Sequence, residues 1–213
     1  MHNLIIYGGT FDPIHNGHIE TAINVQNHFN FEHFIFLPCK IPVLKKKAAA
    51  TAKQRIDMLE LAVKNLDQNF EINLSEINRE SPSYMVHTLQ NFRLELGSEL
   101  SITLLLGTDS FNQLPQWHNW QQLLTLANLL VIKRCGSENV VMSEKIKKLL
   151  EQHETFDGKT LIRSSHGLIY FYDAGSFNIS SSQIRKQLSE GKDPSTYLPE
   201  EVAHYIKKHQ LYL

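Results

Sequence analysis

What most restricts the fold of this 213-residue chain is a rhythm: short, nearly continuous apolar runs alternate with segments whose apolar residues step by three or four. The runs are Leu4-Ile5-Ile6-Tyr7, Phe34-Ile35-Phe36-Leu37, Phe70 to Leu74 with period two, Ser101 to Leu106, Leu129-Leu130-Val131-Ile132, and Leu168 to Tyr172. Runs without polar alternation suit strands buried on both faces, and connections too long for hairpins join parallel strands. Between them, four segments have helical spacing. These are Ile19 to about His28, about Lys53 through Ile56, Leu59, Val63 and Leu66, the stretch from near Ser83 to Gly97, and Glu144 to about Glu151. The expectation is an α/β fold, a Rossmann-like doubly wound parallel sheet in three layers with C-terminal helices, forming one domain over residues 1–213.

In such a sheet, ligands bind beyond the carboxyl ends of the strands, where the strand order reverses. Three polar or glycine-rich segments fall there: Gly8 to His18, Pro38 to Lys47, and Gly107 to Asp109. The first is densest in chemistry. Gly8, Gly9 and Gly17 allow close backbone approach, and Thr10 offers a hydroxyl. His15 and His18, three apart, share a face of an opening helical turn, where imidazole donors and free N–H groups suit phosphate. The spacing excludes both a G-x-x-x-x-G-K-[ST] loop and a G-x-G-x-x-G fingerprint. A metal pair is the alternative, but two histidines without a strong third ligand nearby make an incomplete site. Far along the chain, Asn178-Ile179-Ser180-Ser181-Ser182-Gln183-Ile184-Arg185 reads as a helix start, with Arg185 a turn in and able to reach the same anion as the free N–H groups.

Charge and composition narrow the partners. With 21 Lys+Arg against 22 Asp+Glu and a net charge of -1, the chain has no basic stripe for a nucleic-acid backbone. No apolar run approaches the roughly 18 residues of a membrane span, and no basic-then-apolar leader precedes the first strand. Cys39 and Cys135 form no C-x-x-C, which fits free thiols acting as small fillers in a reducing compartment, and the cytoplasm is expected. Trp117 and Trp120 suit a core on composition alone. Lys45-Lys46-Lys47 and the alanines after it suit a mobile basic loop. Arg55 and Arg134 fit phosphates or surface ion pairs equally well, and His2, His28, His33, His153, His166, His204 and His209 fit surface or capping positions. Asp12 is a tempting magnesium ligand, yet magnesium rests largely on substrate phosphates and water, so no protein ligand is nominated.

Taken together, Gly8-Gly9-Thr10-Phe11-Asp12-Pro13-x-His15-x-Gly17-His18 and Ile179-Ser180-Ser181-x-x-Ile184-Arg185 resemble the nucleotidylyltransferase superfamily with its T-x-x-H-x-G-H signature. Within it, Pro82-Ser83-Tyr84-x-x-x-Thr88-Leu89, Gly107-x-Asp109, Trp117 and the stretch from Leu198-Pro199 to Tyr205-Ile206 resemble the bacterial nicotinate-nucleotide adenylyltransferase family. The resemblance implies adenylyl transfer from ATP to nicotinate mononucleotide, with magnesium and release of pyrophosphate. It implies that His15, His18, Ser181 and Arg185 hold ATP phosphates beside Gly8, Gly9, Thr10, Ile179 and Ser180, and that Gly107 and Asp109 receive the adenosine. It also implies that Trp117 stacks on the pyridine ring while Tyr84, Met85 and His118 flank its carboxylate. Two departures touch the acceptor side. The family often has Pro-Pro-His-Lys or Pro-Pro-His-Arg where this chain has Pro42-Val43-Leu44-Lys45, leaving Lys45 or a neighbour to meet the phosphate, and Ser-Tyr-Thr becomes Ser83-Tyr84-Met85. The alternatives are a same-fold adenylyltransferase acting on nicotinamide mononucleotide or phosphopantetheine, or a non-catalytic nucleotide-binding module. Whether the chain is a monomer or a homo-oligomer is open.

Overall fold

The computed structural model describes residues 2–41, 48–133, 142–175, 177 and 179–213. Strands β1 (Asn3–Gly9), β2 (His33–Pro38), β3 (Phe70–Ile72), β4 (Ser101–Gly107), β5 (Asn128–Ile132) and β6 (Ile169–Tyr172) form one sheet in the order β3-β2-β1-β4-β5-β6. Every neighbouring pair is parallel. The chain builds outward from β1 to one edge, then returns to lay β4 on the other side of β1, so the order reverses between β1 and β4. That opens a crevice at the carboxyl ends of these two central strands.

The helices are α1 (Asn16–Phe29), α2 (Ala52–Val63), α3 (Ser75–Asn78), α4 (Met85–Leu96), α5 (Thr108–Asn112), α6 (Glu144–His153), α7 (Gly158–Arg163), α8 (Ser181–Ser189) and α9 (Glu200–Lys208). Because side chains alternate across a strand, each central strand feeds two cores. Ile5, Phe34, Phe36, Leu105 and Leu130 pack with residues of α1, α2, α7, α8 and α9. Leu4, Ile6, Ile35, Leu104 and Leu129 pack with residues of α4, α5 and α6. Both faces are covered, and all five residues of β5 are buried.

All six expected strands are present, and the doubly wound sheet is the expected one. α3, α5 and α7 lack a signal of their own because each spans six residues or fewer, too short for an apolar period to repeat. Ser83 does not cap α4. The helix opens at Tyr84 with no side-chain cap, and the Ser83 hydroxyl instead accepts the Lys40 N–H at 3.2 Å. α9 is tied to α2 by the Tyr205 hydroxyl, which donates to Asp57 at 2.8 Å. Partial burial, then the bond to and charge of Asp57, push the Tyr205 phenol up to about 12. Among the described residues no helix is long and apolar enough to cross a membrane.

Candidate active site

The turn after β1 packs tightly. A Cβ on Gly9 would lie 2.7 Å from the Phe11 ring, so only glycine fits. Phe11 is buried and adopts φ 50, a left-handed backbone uncommon for a side-chain-bearing residue and held here by its surroundings. His15 occupies the cap of α1, and its carbonyl accepts the His18 N–H at 2.9 Å. The two imidazoles meet with centroids 3.8 Å apart, and the Phe11 ring stands edge-on to His18 at 5.3 Å. A Cβ on Gly17 would come within 3.0 Å of Ile179 Cγ2, so this glycine allows α1 to approach the chain entering α8.

α8 is joined to the same turn. Ser180 caps it, accepting the Gln183 N–H at 3.3 Å. The Ser181 hydroxyl donates to the Pro13 carbonyl at 2.9 Å, and Arg185 Nη1 donates to the Asp12 carbonyl at 2.6 Å. The amino-terminal turns of α1 and α8 therefore converge on a cavity of about 800 Å³. Gly8, Gly9, Thr10, His15, His18, Gly107, Asp109, Ile179, Ser181 and Arg185 all line it. Ser180 serves the cap instead of the cavity wall. Asp109 stands in the first turn of α5, and Thr108 beside it donates to the Ile132 carbonyl at 2.9 Å, bringing together the ends of β4 and β5.

A second cavity, of about 170 Å³, shares Gly8, Gly9, Thr10, Leu106, Ser110 and Gln113 with the first and extends over Leu104 toward α4. Tyr84, Met85, Trp117 and His118 line it. His118 stacks on Tyr84 at 4.4 Å, with His87 edge-on to both, and Trp117 packs on the second core. Cys39 also lines this cavity, half-buried, with its thiol 3.7 Å from the Thr10 hydroxyl. Trp120 packs on the second core as composition suggests.

The residues expected from the two ends of the chain thus share one crevice, and comparison with known proteins identifies the family. The cytidylyltransferase-like family model matches residues 6–187. A relative from Legionella pneumophila (strain Paris), named as a probable nicotinate-nucleotide adenylyltransferase, is 44% identical over 212 residues, covering 100% of both chains. A relative of the same name from Marinomonas sp. (strain MWYL1) is 39% identical, covering 98% of this chain and 94% of its own. The chain belongs to the nicotinate-nucleotide adenylyltransferases of the cytidylyltransferase-like family. The fold has a solved counterpart in the Plasmodium falciparum nicotinic acid mononucleotide adenylyltransferase complexed with NaAD, with TM-score 0.74 and 21% identity over 100% of this chain and 98% of that one.

Against this adenylyltransferase family's pattern, the departure at Met85 has a visible place. The Met85 methyl lies 3.0 Å from where a Gly8 Cβ would stand, so an apolar group fills the floor where the family shows a threonine hydroxyl. Leu44 and Lys45 lie outside the described residues, as do Arg134 and Cys135.

Two charged residues that the sequence left undecided are enclosed by the protein. Arg55 is not a surface residue. It is 1% exposed, and its guanidinium donates to the Thr10 carbonyl at 2.7 Å and the Lys40 carbonyl at 3.2 Å, joining the turns after β1 and β2. Helical spacing puts Arg55 one residue before the apolar Ile56, which gives no hint that two loop carbonyls await it. Asp12 is not placed to meet a metal. It is 3% exposed, and its carboxylate accepts the N–H groups of Ala49 and Ala50 and the Tyr212 hydroxyl. Among the described residues no group of three His, Cys, Asp or Glu is arranged to hold a metal ion.

Sequence reading also missed Glu76, which lines the smaller cavity at 2% exposure. Burial pushes its carboxyl above the usual range, while the hydroxyls of Thr88 and Ser83 and the charge of Arg79 oppose that. The Thr88 hydroxyl donates to it at 2.7 Å. No pattern marked Glu76, because a lone acid in a short helix looks like a solvated one.

Proposed function

We propose that the chain transfers the adenylyl group of ATP to nicotinate mononucleotide, giving nicotinate adenine dinucleotide (deamido-NAD) and pyrophosphate in NAD biosynthesis. One observation carries this reading: a cavity rich in phosphate donors and a smaller, mainly apolar one meet along Gly8, Gly9, Thr10, Leu106, Ser110 and Gln113. Two nucleotides bound one in each bring their phosphates together at that shared wall.

The larger cavity takes ATP. His15, His18, Ser181, Arg185 and the first N–H groups of α1 and α8 face its phosphates, and Asp109 accepts from the ribose hydroxyls. The smaller cavity takes the mononucleotide. Trp117 stacks on the pyridine ring, and the opening turn of α4, which has no side-chain cap, presents free N–H groups near Met85 to the carboxylate. The His118 backbone N–H adds a further donor.

A phosphate monoester is mostly dianionic at neutral pH, so its oxygen attacks the α-phosphorus in line without a general base. A P–O bond forms to that oxygen as the bond to the bridging oxygen breaks, and the electron pair leaves with pyrophosphate. The barrier is charge crowding, which fixed donors relieve by binding the transition state more tightly than the ground state. Magnesium, held mainly by ATP phosphates and water, supplies further charge neutralisation when bound. The cytoplasm, where both nucleotides and reduced thiols coexist, is the proposed compartment.

The test is pyrophosphate release with ATP and either nicotinate or nicotinamide mononucleotide, with phosphopantetheine as a third acceptor. The acid is expected to lead by about tenfold or more in kcat/KM. An amide preference of that size would sink the assignment while leaving the fold intact, and ATP binding without turnover on any acceptor would support a silent module.

A further inference from the structure

We propose that Tyr212 is a positioning residue for adenylyl transfer, its hydroxyl holding the Asp12 carboxylate against Arg185 and against the chain that enters α2. This rests on the reading that Arg185 faces the ATP phosphates.

Asp12 lies inside the signature turn but is 3% exposed, so its work is done within the protein. Its oxygens collect donors from three distant parts of the chain. Oδ2 accepts the Ala49 N–H at 2.7 Å, while Oδ1 accepts the Ala50 N–H at 3.1 Å and the Tyr212 hydroxyl at 2.8 Å. Arg185 Nη1 stands 3.7 Å from Oδ2 and donates to the Asp12 carbonyl at 2.6 Å. Asp12 therefore restrains Arg185 through both its backbone and its side chain, at the wall of the larger cavity.

Tyr212 reaches this point from beyond α9, and the chain bends sharply to bring it there. Gln210 and Tyr212 both adopt left-handed backbone, at φ 50 and 67, which residues with side chains rarely occupy and which persists only where surrounding contacts hold it. The Leu211 N–H bonds to the Ile206 carbonyl at 3.0 Å, and Leu211 and Tyr212 pack on the first core. Burial, then the charge of Asp12 and the bond to it, hold the phenol above its ordinary range, with Arg185 and Arg55 opposing, so the hydroxyl stays a donor. Without that donor the Asp12 carboxylate is under-satisfied and draws the Arg185 fork toward itself, away from the cavity.

The test compares the parent chain with Tyr212→Phe, Tyr212→Ala and the pair Tyr212→Phe with Asp12→Asn, measuring kcat, both KM values and Tm. Phenylalanine keeps the packing and removes only the hydroxyl. We expect Tyr212→Phe to lower Tm by only a few degrees, hold acceptor KM and lower kcat about tenfold, less than the roughly hundredfold that an ångström of misplacement costs. Tyr212→Ala is expected to lose as much kcat and to lower Tm further. Adding Asp12→Asn to Tyr212→Phe should lower kcat and Tm further, because the amide also gives up an acceptor for the N–H groups of Ala49 and Ala50 and the charge that faces Arg185. A Tyr212→Phe kcat within about twofold of the parent, or a kcat loss matched by a fall in Tm and a rise in both KM values, would overturn the proposal. A parent chain without adenylyl transfer would overturn the functional reading alone. The positioning role is then judged by calorimetric ATP affinity, expected to weaken about tenfold in Tyr212→Phe and, if unchanged, counting against it.

Discussion

The cavity of about 800 Å³ beneath α1 and α8 and the cavity of about 170 Å³ beside α4 share Gly8, Gly9, Thr10, Leu106, Ser110 and Gln113 and differ in the rest of their walls. The larger sets helix amino ends, imidazoles, hydroxyls and a guanidinium beside apolar residues such as Leu105 and Ile132. The smaller is floored by Leu37, Leu104, Leu106 and Met85, with aromatic rings at its side and one buried acid. The contrast separates two tasks. Donors aimed at phosphate stabilise charge wherever an adenylyl group moves, whereas an apolar slot with few polar groups chooses which ring enters. Damage to the first should lower kcat, and damage to the second should raise KM for one substrate.

Four substitutions test that division, beginning with the largest effect. His18→Ala should cut kcat by about 10²- to 10³-fold, the usual loss for one transition-state donor, with an unchanged circular dichroism spectrum. Near-normal turnover would erase the distinction between the cavities. Arg55→Leu acts on the wall that both share. Leaving the Thr10 and Lys40 carbonyls without their donor should cost about 1–3 kcal/mol in denaturant unfolding and raise both KM values together. If only one KM moved, the wall would belong to that cavity alone. Trp117→Ala should raise the KM for the mononucleotide roughly 3- to 10-fold, in line with a lost stack, and leave that for ATP unmoved. Equal shifts for both substrates would remove Trp117 from the acceptor side.

The smallest effect concerns Glu76, whose carboxyl is held above its ordinary range chiefly by burial. A carboxyl raised in the folded state contributes full stability below its unfolded value and loses it as pH rises through the folded one. Glu76→Gln should therefore gain at most about 3 °C in Tm at pH 7, a gain that disappears near pH 4, where the parent side chain is protonated too. A gain that persists at pH 4 would assign the effect to packing instead of charge.

The polar cavity was far more legible in sequence than the apolar one. Phosphate needs several donor types at fixed spacings on helix starts, and such spacings survive as short motifs: ten residues named from Gly8 to His18, Gly107 to Asp109 and Ile179 to Arg185 all line the larger cavity. An apolar slot uses the residue types that also build a core, so Trp117 and Trp120 look alike on composition and only the family resemblance singles out Trp117, the one of the two that lines the smaller cavity. Arg55 was left undecided and Glu76 missed for a related reason. Charged side chains in sequence suggest solvent, and only tertiary contacts show which are enclosed by carbonyls, amides or hydroxyls.

By itself, the sequence determined the six strands, the two-sided burial and the phosphate-binding ends, because these depend on local period and on residue types spaced within one or two helical turns. The tertiary structure alone decided that β4 returns to lie beside β1, opening the crevice, and that Tyr212, 200 residues after Asp12, closes behind it. Those choices depend on contacts between residues far apart in the chain, and no local pattern encodes a partner at such a distance.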